Sequence, residues 1–144
     1  MLKAVIDTNV LISGILSPKA APSELLAAWR RGAFTLVTSA EIIDEVVGML
    51  GREYFRAHYH ITDQQITAVA RALETQASVV QPPAHLHAVL ADPDDDAILE
   101  CALAGGTDYV VSGDRHLLSL GRYGEVVMVT ARQFLGVIAA SRPG

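Results

Sequence analysis

The sequence predicts an α/β fold in which a parallel sheet is covered by helices on both faces. Two observations carry that expectation. Short apolar runs of strand length recur along the 144 residues and alternate with longer helical stretches, the pattern of βαβ units. The helices are also marked by start and stop residues: Thr-x-x-Glu/Gln pairs with capping-box spacing, prolines near helix starts and glycines after helix ends.

Taken in order, residues 2–6 form a short buried strand. Pro22 sits at the first position of a helix over residues 23–31, which Gly32 stops. Residues 34–37 form a second strand. Thr38 and Glu41 have capping-box spacing for a helix ending near Gly51. Residues 52–60 carry Tyr54, Phe55 and Tyr59 in a short helix. Thr62 and Gln65 repeat the capping spacing before a helix to about Ala77. Residues 78–80 are a third strand, stopped by Pro82 and Pro83, and residues 81–90 are the longest loop. Asp92 caps a helix with Pro93 at its first position, ending before Gly105 and Gly106. Residues 109–111 and 125–129 are strands, and Thr130 with Gln133 starts a last helix to about Ala140. No internal repeat, low-complexity stretch or domain boundary appears, so residues 1–144 are expected to form a single domain.

Hydrophobic residues make up 51% of the chain, which excludes a disordered protein. The net charge of −5 argues against a general nucleic-acid binder, but much of that excess lies in one acidic stretch that bound cations would offset. Cys101 is the only cysteine, so no internal disulfide forms, and a reducing cytoplasm is the expected location. Its apolar neighbours make it a core residue. No apolar run approaches the roughly 18 residues of a membrane span. Asp7 and Asn9 interrupt the N-terminus, where a signal peptide would need a continuous apolar region. The pairs His58/His60 and His85/His87 have a spacing that cannot share a helix face, so surface histidines are expected rather than a zinc site. Trp29, Tyr54, Phe55 and Tyr59 are read as core or interface residues.

The acids carry the chemistry. Asp7 closes the first strand and Asp114 follows the strand 109–111, so both lie at strand carboxyl ends, where open α/β sheets bind their ligands. The run Asp92-Pro93-Asp94-Asp95-Asp96 opens a helix, a placement the helix dipole favours by itself. Helical phase separates its members. At about 100° per residue Asp95 falls on the stripe of Ile98, Leu99 and Ala102, whereas Asp96 falls near Glu100 on the solvent side. An inward carboxylate needs a partner or a metal, so Asp95 is the expected ligand, with Asp92 or Asp96 assisting through water. In the helix after Thr38, Glu45 lies nearest the edge of the stripe Ile42, Ile43, Val46, Val47 and Leu50, ahead of Glu41 and Asp44. Clustered carboxylates favour a hard cation, Mg²⁺ or Mn²⁺, and phosphate chemistry.

Asp7-Thr8-Asn9, Ser39 with Glu45-Val46, Asp92-Pro93-x-Asp95 with Ile98 and Ala102, and Ser112-Gly113-Asp114 before His116-Leu117-Leu118 together resemble the PIN-domain family of metal-dependent ribonucleases, in order and spacing over nearly the whole chain. The resemblance implies a three-layer α/β/α domain with a central parallel sheet. It also implies Mg²⁺- or Mn²⁺-dependent endoribonuclease activity, with Asp7, Glu45, Asp95 and Asp114 as the acidic set and Asp7, Asp95 and Asp114 on the metal. Thr8, Asn9 and Ser112 would orient the carboxylates. The crowded run Asp94-Asp95-Asp96 leaves the register open by one residue. The subgroup with Asp-Pro-x-Asp and Ser/Thr-Gly-Asp is associated with the toxin of a toxin–antitoxin pair, which implies a cognate antitoxin beside the RNA substrate, and family members often form homodimers. Arg115, Arg30, Arg31 and Lys19 are the candidate contacts to RNA. Two alternatives stand beside this one. Haloacid-type phosphatases and receiver-type phospho-acceptors also use strand-end aspartates with Mg²⁺, but they require a late lysine, and Lys3 and Lys19 are the only lysines here. A PIN-like module without activity, binding RNA or protein, would be separated by a metal-dependent nuclease assay.

Overall fold

The computed structural model describes residues 1–82 and 93–141, the side chains of residues 93 and 94 excepted. The first apolar run forms β1 (Lys3–Ile6). It leads into α1 (Thr8–Leu16) and α2 (Ala21–Arg30), then β2 (Thr35–Ser39). Three helices follow, α3 (Ala40–Leu50), α4 (Glu53–Tyr59) and α5 (Asp63–Gln76), before β3 (Ser78–Val80). The last part comprises α6 (Pro93–Ala104), β4 (Tyr109–Val111), α7 (Arg115–Leu120), β5 (Arg122–Tyr123), β6 (Val126–Val129) and α8 (Ala131–Ser141).

The sheet runs β3-β2-β1-β4-β6-β5, parallel except for the edge strand β5. β1 lies between β2 and β4, with Val5 opposite Val37 and Val110. Successive residues of a strand face opposite sides, yet Ala4, Val5 and Ile6 are all at most 1% exposed. Both faces of the sheet are therefore covered, and the architecture is α/β/α as expected. α6 packs across β1, β2 and β4 and touches α3; α1 packs on α2 and α3, and α2 on α8. Phe134 of α8 anchors the far side, edge-on to Phe34 with ring centres 5.1 Å apart and against Tyr109 at 5.3 Å.

Two capping boxes form as predicted. Thr62 Oγ1 accepts the Gln65 amide at 3.1 Å while Gln65 Oε1 accepts the Thr62 amide at 2.9 Å, and Thr130 and Gln133 do the same. The third is displaced. Ser39, not Thr38, caps α3 through its hydroxyl and the Ile42 amide at 3.3 Å, because β2 runs two residues further than expected, to Ser39, and Thr38 is a buried strand residue. α2 begins at Ala21, which places Pro22 in its second position. α1, α7 and the antiparallel β5 are additions to the expected element list. The Asp92 cap, the pair His85/His87 and most of the loop 81–90 lie outside the described residues.

Candidate active site

Parallel pairing of β1 with β4 sets Ile6 beside Val111, so the chain leaves both strands at one place on the sheet's carboxyl edge. The Asp7 amide donates to the Val111 carbonyl at 2.9 Å, and the Ser112 amide donates to Val129 at 2.9 Å. These bonds fix Asp7 and Ser112 as neighbours although they lie 105 positions apart in sequence. The Ser112 hydroxyl then ties two acids together. It donates to Asp7 Oδ2 at 2.7 Å and accepts the Asp114 amide at 2.9 Å. Asp114 caps α7, its Oδ1 accepting the His116 amide at 2.7 Å.

Asp7 is 7% exposed. Burial pushes its carboxyl above the usual range, against the Ser112 hydrogen bond that lowers it; the nearby Asp114 charge raises it further, and the Thr8 and Asn9 amides oppose. The expected orienting group Ser112 thus acts through its side chain, whereas Thr8 and Asn9 act on Asp7 through backbone amides. The Thr8 hydroxyl is buried and has no hydrogen-bond partner among the described residues.

α6 corrects one expectation. Asp95 is 5% exposed, as an inward residue should be, but Asp96 is equally buried, and Ala97, Ile98 and Leu99 follow suit. A helix packed across three strands and against α3 is covered on more than one side at its start, so phase alone does not separate the two aspartates. Both residues interact with other groups. On α3, Glu45 is half-buried while Glu41 and Asp44 are exposed, in keeping with its place at the stripe's edge. Cys101 is fully buried, and burial pushes its thiol up to about 12 against a lowering contact from Ser39, which makes it an inert core residue.

Among the described residues, no three His, Cys, Asp or Glu side chains stand together as a ready cage for an ion. Asp7 and Asp114 are the acids that the fold joins. Carboxylate oxygens are donors that suit a hard divalent cation, whose remaining positions water and substrate phosphates can fill. The buried Asp7 carboxyl, whose ionised form burial disfavours, has the chemistry a cation would satisfy.

Arg30, Arg31, Lys19 and Arg115, the cations expected at RNA, are all exposed. A cavity of about 460 Å³ opens beside Asp114, reached by Asn9 and Ser13 of α1, Pro22 of α2 and Arg132 of α8. Arg132 was not among the candidate contacts. Its sequence context is that of any first-turn helix residue, and only the packing of α8 against α2 brings it to the site.

The PIN domain family model matches residues 3–116. A curated relative, the uncharacterized protein MJ1680 of Methanocaldococcus jannaschii, is 26% identical over 119 residues, covering 83% of this chain and 75% of its own length. Among solved structures, a chain of the crystal structure of VapBC2 from Rickettsia felis bound to a DNA fragment from their promoter superposes with a TM-score of 0.57 at 12% identity, over 88% of this chain and 97% of that one. The matched sequence runs from β1 through Asp114 to the start of α7: the chain belongs to the PIN domain family.

Proposed function

We propose that this protein is a Mg²⁺- or Mn²⁺-dependent ribonuclease that hydrolyses RNA phosphodiester bonds as the toxin of a toxin–antitoxin pair. The observation that carries the reading is the Asp7–Ser112–Asp114 linkage at the sheet's carboxyl edge, where one buried hydroxyl holds two acids from distant parts of the chain. Membership of the PIN domain family supports nuclease chemistry, and the fold likeness to a chain of a VapBC2 structure supports the toxin role and an antitoxin partner.

Asp7, Asp95 and Asp114 would hold the ion, and Ser112 keeps Asp7 and Asp114 in fixed relation so that neither must be reorganised when substrate arrives. A divalent cation held there would lower the pKa of a water and offset charge on the phosphoryl oxygens. Glu45, half-buried on α3, would accept a proton from the attacking water or add a carboxylate to the ion's shell.

The test is cleavage of a short single-stranded RNA by the purified chain with Mg²⁺, with Mn²⁺ and with EDTA. Cleavage should require the metal, and Asp114→Asn should lower it by about 100-fold or more while leaving the circular dichroism spectrum unchanged. Asp95→Asn should act alike and Asp96→Asn should retain most activity; the reverse order would move the ligand register by one. Cleavage that persists in EDTA, or in Asp114→Asn, would overturn the proposal.

A further inference from the structure

The cavity beside Asp114 is larger than the carboxylates need. Among the described residues, its charged side chains are Asp114 and Arg132, on different walls. Val10, Pro22 and Ala131 give it apolar surface, and Asn9 and Ser13 add polar side chains. A space of about 460 Å³ with apolar walls, a few hydrogen-bonding groups and one cation has the composition of a nucleotide site. The starts of α2 and α8 both border it, so the partial positive charge of two helices of 10 and 11 residues adds to that of Arg132. Ala20 at the N-cap of α2 makes no side-chain cap, which leaves the first-turn amides of α2 without a competing acceptor there.

Among the described residues, the ion-pair partner of Arg132 is Glu24. The Arg132 Nη1 stands 3.7 Å from Glu24 Oε2, and the two side chains are 71% and 53% exposed. An ion pair so long and so solvated contributes little, so exchanging the glutamate for a phosphate costs little. A phosphate oxygen would accept from the guanidinium with charge-assisted geometry that the present pair lacks.

We propose that this cavity seats the nucleotide adjoining the scissile phosphate, and that Arg132 is a positioning residue that contacts that nucleotide's own phosphate, with Glu24 as its competitor in the free protein. The inference rests on the ribonuclease reading and deepens it by assigning a substrate subsite. It places a substrate contact on α8, beyond the residues 3–116 that the family model matches.

Two exposed substitutions with opposite expected signs provide the test. Binding of a fluorescein-labelled single-stranded RNA is followed by anisotropy in EDTA over a series of salt concentrations, and KM and kcat are measured in Mg²⁺. Arg132→Gln should weaken binding and make the plot of log affinity against log salt shallower by about 0.7, one phosphate contact on a single strand. It should raise KM with kcat nearly unchanged, the mark of lost uniform binding. Glu24→Gln should tighten binding and lower KM, since it removes the competitor. A merely structural role for Arg132 would move neither the salt slope nor the Glu24→Gln result. Unchanged slope and KM in both variants, with normal cleavage by the parent chain, would overturn the subsite and leave the ribonuclease reading standing. A parent chain that neither binds in EDTA nor cleaves in Mg²⁺ would overturn both.

Discussion

At the scale of single residues, Asp7 carries opposed demands. Its position after β1 and its bond to Ser112 hold it in place, while burial and the Asp114 charge make its ionised form costly without a cation. The folded chain therefore holds the Asp7 proton more tightly than the unfolded chain does. The resulting stabilisation is fully present below the unfolded value of about 3.9 and is lost as pH rises through the raised folded value. Asp7→Asn, neutral at every pH, should raise the melting temperature of the EDTA-treated protein at pH 8 relative to the parent, and the gap should close as pH approaches 4. A variant less stable than its parent at pH 8 in EDTA would mean that hydrogen bonding, not burial, dominates this carboxylate. The serine that links the acids is expected to orient them only through the family resemblance carried by Ser112-Gly113-Asp114. Its two bonds depend on β1 and β4 being paired, which no local pattern records.

At the scale of elements, the sequence spoke clearly wherever a local rule operates. The Thr62–Gln65 and Thr130–Gln133 boxes start α5 and α8 as their spacing requires, and the strands fall where short apolar runs end in polar residues. It spoke poorly where tertiary packing decides. α1 carries no capping-box or proline start signal and Gly14 interrupts its helical run, yet that glycine is there for the neighbouring helix. A Cβ on Gly14 would stand 2.7 Å from Leu26 Cδ1 and 2.8 Å from the Pro22 carbonyl oxygen. Helix propensity favours alanine over glycine by about 1 kcal/mol, but a backbone oxygen at that distance cannot step aside cheaply. Gly14→Ala should destabilise the protein by about 1–3 kcal/mol. Gly136→Ala, in α8 with nothing within 4 Å of the new Cβ, should instead stabilise it by about 0.5–1 kcal/mol. Urea unfolding of the two variants measures both, and equal effects would mean that α1 and α2 do not meet as closely as described. The same cause explains Asp96: phase presumes one buried face, and the start of α6 has more than one.

At the scale of the whole molecule, the apolar surface is uneven. α4 has no buried residue, and it presents Tyr54 at 64% and Tyr59 at 41% exposure. Phe55 packs against the edge of the core, and Tyr54 contacts its neighbours on the helix, lying 5.2 Å from Phe55 and 5.3 Å from His58 between ring centres. Beside it runs a groove of about 330 Å³ lined by Ile15, Leu16, Leu50, Ile61 and Val69 together with Tyr59. Aromatic side chains that are ordered but unburied, next to an apolar groove, are the composition of an interface centre rather than of ordinary surface. A second copy of the chain is the expected occupant, with α4 of each protomer against the other's groove, an isologous arrangement that closes on itself. Light scattering at micromolar concentration should give the mass of a dimer. Substituting Tyr54 and Tyr59 by serine should shift the equilibrium toward monomer by about tenfold or more for each 1.4 kcal/mol that an anchoring tyrosine contributes. The fold should survive, because neither ring lies in the core. A strictly monomeric parent would end the idea, and a dimer indifferent to both substitutions would place the contact on another face.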